Sequence, residues 1–96
     1  MSLLVQKFGG TSVGCVDRIE AVANKVAAHR EKGDEIIVVL SAMSGETNRL
    51  TDLARSIADY PEPREMDVLL STGEQVTIAL LCIALRKRGV GARSFT

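Results

Sequence analysis

Residues 35–40 read Glu-Ile-Ile-Val-Val-Leu, and after Glu35 every side chain is apolar, with Ile36, Ile37, Val38 and Val39 all β-branched. A strand with one wet face alternates apolar and polar residues. An unbroken run predicts a strand covered on both faces, as in the parallel sheets of α/β folds. Leu3 to Phe8 reads as a second strand, apolar except for Gln6 and Lys7. Between them, Ile19, Val22, Ala23, Val26 and Ala27 fall at i, i+3, i+4, i+7 and i+8, one stripe of a helix. Asp17 opens that helix, with Glu20 three residues on as a capping-box partner, and Gly33 suits the position just past its end.

Leu50, Leu53, Ala54 and Ile57 mark another amphipathic helix, closed by Tyr60-Pro61-Glu62-Pro63. A short helix is expected from Arg64 to Leu70, broken by Ser71-Thr72-Gly73. A nearly all-apolar helix then runs from Glu74 through Leu85 and must be buried on most sides. Arg86-Lys87-Arg88 reads as its solvated end, and Val90 to Thr96 as the start of a third strand. The order β-loop-α, β-loop-α-α, β is that of an α/β sandwich with a mainly parallel sheet. Ligands of such sheets bind outside the carboxyl ends of the strands, where Gly9–Gly14 and Ser41–Asn48 lie.

Twelve Lys and Arg balance twelve Asp and Glu, so no basic footprint exists for a nucleic-acid partner. Phe8, Tyr60 and Phe95, with no Trp, are too few for a base-stacking platform. The N-terminus has no basic stretch leading into a long apolar core, so no secretory signal is expected. The most apolar window, Val76 to Leu85, is about half the ~20 residues a bilayer span needs, so no membrane partner is expected. Cys15 and Cys82 form no disulfide framework, and with the single His29 they do not approach metal-ligand spacing. These features point to a reducing cytoplasm. Both thiols read as packing residues, with a reactive thiol as the other reading of Cys15 after its Gly-rich loop, and His29, late on an amphipathic helix, reads as a surface residue.

Three stretches carry chemistry. In Lys7-Phe8-Gly9-Gly10-Thr11-Ser12 the glycines let backbone N–H groups approach a ligand, Thr11 and Ser12 add hydroxyl donors, and Lys7 brings a charge suited to phosphate. The spacing matches neither a Walker A loop nor the dinucleotide fingerprint, so anion binding and a tight strand-to-helix turn serve equally well. Ser41 to Arg49 offers hydroxyls, an amide and an Arg that suit a carboxylate, although helix capping by Ser44 or Thr47 explains the same residues. Glu74, at the start of an apolar helix, is favoured in its ionised form by the helix dipole and is placed to hold a ligand ammonium.

Together these stretches resemble one family. Val5-Gln6-Lys7-Phe8-Gly9-Gly10-Thr11-Ser12-Val13 is similar to the N-terminal signature of the aspartokinases. Val38 to Gly45 followed by Thr47-Asn48 is similar to their second motif, and Ser71-Thr72-Gly73-Glu74 to their third. The resemblance implies the three-layer α/β/α sandwich of amino-acid kinases and transfer of phosphate from ATP, with Mg²⁺, to the side-chain carboxylate of L-aspartate. It implies phosphate contacts at Lys7, Phe8, Gly9, Gly10, Thr11 and Ser12, with Lys7 catalytic. Aspartate contacts carry over to Ser41, Thr47 and Glu74, with Asn48 and Arg49 beside them; no residue is expected to bind metal directly. Transfer would be direct and in line, without a covalent enzyme intermediate.

Family members are far longer, so residues 1–96 are expected to form the N-terminal part of the kinase domain, inactive alone and homo-oligomeric when complete. The adenine site and the regulatory ACT domains would lie elsewhere. Two other readings stand beside this one: another amino-acid kinase acting on glutamate or acetylglutamate, and a non-catalytic module that binds an anion or a partner.

Overall fold

In the computed structural model, which describes residues 2–95, the two apolar runs form strands β1 (Leu3–Phe8) and β2 (Glu35–Leu40). They pair in parallel, from Leu3 opposite Glu35 to Phe8 opposite Leu40. Both strands therefore end at the same level, and the Ser41 N–H extends the ladder to the Phe8 carbonyl at 3.2 Å. That shared ending puts the two polar loops side by side.

Helix α1 (Val16–Glu31) joins the strands and turns its stripe of Ile19, Val22, Ala23 and Val26 into the core. It starts without the expected capping box: Cys15 is the N-cap, extended and with no side-chain cap bond. Glu20 is engaged elsewhere, accepting from Arg88. At the other end Gly33 takes φ 87°, which lets the chain reverse into β2. His29 is half-buried, 3.6 Å from Asp34.

Helix α2 spans Glu46–Ile57, and helix α3 runs unbroken from Pro63 to Lys87. The break expected at Ser71-Thr72-Gly73 does not occur. The Ser71 and Thr72 hydroxyls donate to the carbonyls of Val68 and Leu69, at 2.8 and 2.6 Å, and so sit inside the helix without competing for its ladder. Glu62 starts α3 by accepting from the Glu65 N–H at 2.9 Å, with Pro63 in the first turn where no N–H is needed.

By length and composition alone, α3 could cross a membrane. Here it is the central helix of the domain, packed against α1, α2 and β2. Arg86 and Lys87 at its end are exposed, as expected, but Arg88 is not a solvated residue. Arg88 donates to Asn24 Oδ1 at 2.9 Å, to the Ala84 carbonyl at 2.8 Å and to the Glu20 carboxylate, tying α3 to α1. The expected third strand is also absent from residues 90–95, which have no strand neighbour to pair with; Thr96 lies outside the described residues. Instead the Val90 N–H returns to the Leu85 carbonyl at 3.0 Å, and Arg86 holds the Ala92 carbonyl at 3.1 Å.

The core gathers Val13, the α1 stripe, Leu40, Leu81, Ala84 and Leu85. Cys82 is half-buried at its margin, and burial pushes its thiol up; Cys15 is exposed, contrary to the packing role expected of it, because the N-cap backbone turns it outward. The helices cover one face of the sheet only. On the other, Leu3 is 63% exposed, Val5 67%, Ile37 52% and Val39 46%. The two-sided cover expected from Ile36–Leu40 is not supplied by the described residues.

Candidate functional site

The carboxyl ends of β1 and β2 open onto a polar cleft of about 430 Å³. From the first loop it takes Gly10 and Thr11, from the second Ser41 through Gly45, from the start of α2 Thr47 and Asn48, and from α3 Glu74. Residues distant in sequence thus meet where an α/β sheet places its ligand.

Close backbone approach holds the cleft together. The first loop turns through hydrogen bonds from the Ser12 and Val13 N–H groups to the Gly9 carbonyl, at 3.0 and 3.3 Å. A Cβ on Gly10 would stand 3.4 Å from the Ala42 carbonyl oxygen, and one on Gly14 would stand 3.4 Å from Ser44 Cβ and 3.1 Å from the Gly10 carbonyl oxygen. The two loops touch because these positions carry no side chain.

The second loop enters α2 through Gly45 at φ 79°, with no side-chain cap. This separates the two readings of Ser44 and Thr47: neither hydroxyl is spent on the helix terminus. Thr51 donates to the carbonyl of Thr47 at 2.8 Å and leaves the Thr47 hydroxyl uninvolved. The loop therefore presents hydroxyls and an amide to the cleft.

Glu74 reaches the cleft from the interior of a long helix, so the helix-start dipole invoked for it does not act there. Its setting is a rim of hydroxyls and backbone groups, which suits a carboxylate that waits for a cation. Arg49 takes a different course. It does not line the cleft; its Nε donates to Glu46 at 3.1 Å, and this partner holds the Glu46 carboxyl below the ordinary range.

Lys7, Phe8, Gly9 and Ser12 also lie outside the cleft lining. Strand alternation puts Phe8 on the covered face and Lys7 on the open one, beside Val39. Among the described residues no three His, Cys, Asp or Glu side chains gather to hold a metal ion. The lining residues not assigned a site role from sequence are Ala42, Met43, Ser44 and Gly45: the first two have apolar side chains that give no chemical signal, Ser44 reads as a helix cap, and Gly45 has no side chain.

Comparison with known proteins agrees with this arrangement. The model of the amino acid kinase family matches residues 2–96. The chain belongs to the amino acid kinase family. Within it, the chain is 71% identical over all 96 residues to an aspartate kinase of Pseudomonas putida, and 54% identical to aspartokinase 2 of Bacillus subtilis. It spans only 23% and 24% of the length of those curated relatives. In three dimensions it is similar to the crystal structure of aspartate kinase from Synechocystis, with a TM-score of 0.94 and 54% identity over 97% of this chain and 16% of that one. It is also similar to E. coli aspartokinase III, solved in complex with aspartate and ADP, with a TM-score of 0.78 and 26% identity over 97% of this chain and 31% of that one. Both matches take in nearly the whole of this chain, α3 included.

Proposed function

We propose that this chain forms the phosphate- and aspartate-binding segment of an aspartate kinase, the N-terminal part of a longer cytoplasmic catalytic domain that transfers the terminal phosphoryl group of ATP to the side-chain carboxylate of L-aspartate. The observation that carries the proposal is the convergence of both strand-end loops and Glu74 on one polar cleft, in a chain 71% identical to an aspartate kinase. A related enzyme binds aspartate and ADP together. Binding of an acceptor and a nucleotide side by side is what phosphoryl transfer from ATP to an amino-acid carboxylate requires, ADP being the nucleotide left after transfer.

In this reading Glu74 takes the substrate ammonium, while Ser41, Thr47 and Asn48 hold its carboxylates. Arg49 acts from behind, through Glu46. Gly9, Gly10, Thr11 and Ser12 offer backbone and hydroxyl donors to the phosphates, and Phe8 anchors the loop in the covered face. Lys7, on the open face just before the loop, meets the transferring group as it comes over the sheet edge. The carboxylate nucleophile is already ionised near neutral pH, so the attack needs no general base. Catalysis is then alignment of the two oxygens and neutralisation of charge on the phosphoryl group. Mg²⁺ arrives on the ATP phosphates, where it supplies further neutralisation; the side chains here would not hold it alone. The complete enzyme is expected to be a homo-oligomer.

The test uses a full-length hybrid in which this chain replaces the matching stretch of the Pseudomonas putida enzyme. With ATP it should convert aspartate to an acyl phosphate, trapped as its hydroxamate, and leave glutamate untouched. Lys7→Ala should lower kcat by roughly 100-fold or more, the usual cost of a lost transition-state donor. Glu74→Gln should raise the KM for aspartate about 10- to 100-fold, as expected for a hydrogen bond to a charged group. Phosphorylation of glutamate instead would move the assignment to a sister kinase, and no phosphorylation of either would overturn it.

A further inference from the structure

Gly73 lies in the interior of α3, is buried, and takes no left-handed conformation that would demand glycine. What requires glycine is space. A Cβ there would fall 3.1 Å from Ala42 Cβ and 3.3 Å from Glu46 Cγ, tighter than ordinary van der Waals contact. On its other side the same loop lies close to the first one, with the Ala42 carbonyl oxygen 3.4 Å from the place a Gly10 Cβ would occupy and Ser44 Cβ 3.4 Å from that of Gly14. The loop at 41–45 is therefore seated between two glycine-lined surfaces, one from the first loop and one from α3.

Residue 74 follows directly on Gly73, and both Glu74 and Ala42 line the cleft. We propose that Gly73 is a positioning residue for the amino-acid substrate. By carrying no side chain it sets the gap between the Glu74 carboxylate and the Ser41–Asn48 loop, and so the length of amino acid that can bridge them. An added methyl lifts α3 off the loop by a few tenths of an ångström and takes Glu74 with it, while the phosphate-side loop stays in place. The inference rests on the aspartate-kinase reading above.

Gly73→Ala in the hybrid kinase tests it. The expected result is a rise of roughly five- to tenfold in the KM for aspartate, in keeping with the steep cost of small misplacements in a site, with the KM for ATP within about twofold. Alanine is the better helix former, so general weakening of α3 is not the expected outcome. The decisive arm is Gly73→Ala combined with Ala42→Gly, which removes the methyl group that the new one meets. It should bring the KM for aspartate back to within about twofold of the parent, and it also serves if the single variant does not fold. An unchanged KM in the single variant, or a double variant no better than the single, would overturn the inference while leaving the parent's aspartate activity, and hence the functional reading, intact. A parent without that activity would overturn the reading first.

Discussion

The two faces of the sheet are built from the same two strands and from much the same residues, yet they fare differently. Phe8, Ile36, Val38 and Leu40 lie on the side of α1 and α3 and join the core or pack against it, and Leu4 on the same side is half-buried. Leu3, Val5, Ile37 and Val39 are equally apolar and stay about half exposed or more. The difference lies in the partner and not in the side chains. An apolar run specifies that a surface is to be buried, and the connections decide which elements come to bury it. Here the two helices that meet the sheet, α1 and α3, pack on one side of it. The open side, with Lys7 among its apolar neighbours, is a surface built to be covered.

The contrast has consequences that can be measured on the 96-residue chain. Leu81→Ala, in the core, should cost about 2–5 kcal/mol by denaturant unfolding. At concentrations low enough to keep the chain monomeric, Val5→Thr on the open face should change stability by no more than about 0.5 kcal/mol; a cost like that of Leu81 would mean the face is closed within the single chain. Open apolar strands also invite association, so the chain should self-associate in sedimentation experiments, and Val5→Thr with Ile37→Thr should shift it towards monomer. A monodisperse parent monomer would contradict this.

Gln6 provides a finer probe. It sits on the covered side of β1 and its Oε1 is buried without a hydrogen-bond partner. Gln6→Leu should therefore raise stability by about 1 kcal/mol, the order of an unpaired buried polar group relieved. The smallest effect concerns acid. Arg88 hydrogen-bonds Glu20 and holds its carboxyl below the ordinary range, and Arg49 does the same for Glu46. A carboxyl lowered on folding adds stability that is complete above its unfolded pKa and is lost as pH falls through the folded one. Glu20→Gln should thus lower the urea midpoint slightly at neutral pH and flatten its fall between about pH 5 and about pH 3, the two chains converging in acid.

Much of the site was legible in the sequence because its parts are local. Gly9-Gly10-Thr11 and Ser41 to Asn48 are loops by composition, and each lies in the cleft or beside it. Gly73 shows where local reading stops. Inside Ser-Thr-Gly it reads as a helix breaker, yet Ser71 and Thr72 turn their hydroxyls back to helix carbonyls and Gly73 lies buried against the second loop, within an unbroken α3. Arg88 misled in the same way: three basic residues at a helix end look solvated, and only the packing of α1 against α3 brings Glu20 and Asn24, 68 and 64 residues away, within its reach.

By itself the sequence determined two parallel strands, the stripe of α1, the polar loops at the strand ends and the kinase resemblance, since each is written in side-chain periodicity or in a short contiguous motif. Only the tertiary structure decided that α3 is one helix, that Glu74 faces the loops from its interior, that Arg49 turns to Glu46, and that one side of the sheet remains open. Those outcomes depend on which surfaces meet, and contact between residues far apart in the chain leaves no period for a sequence to display.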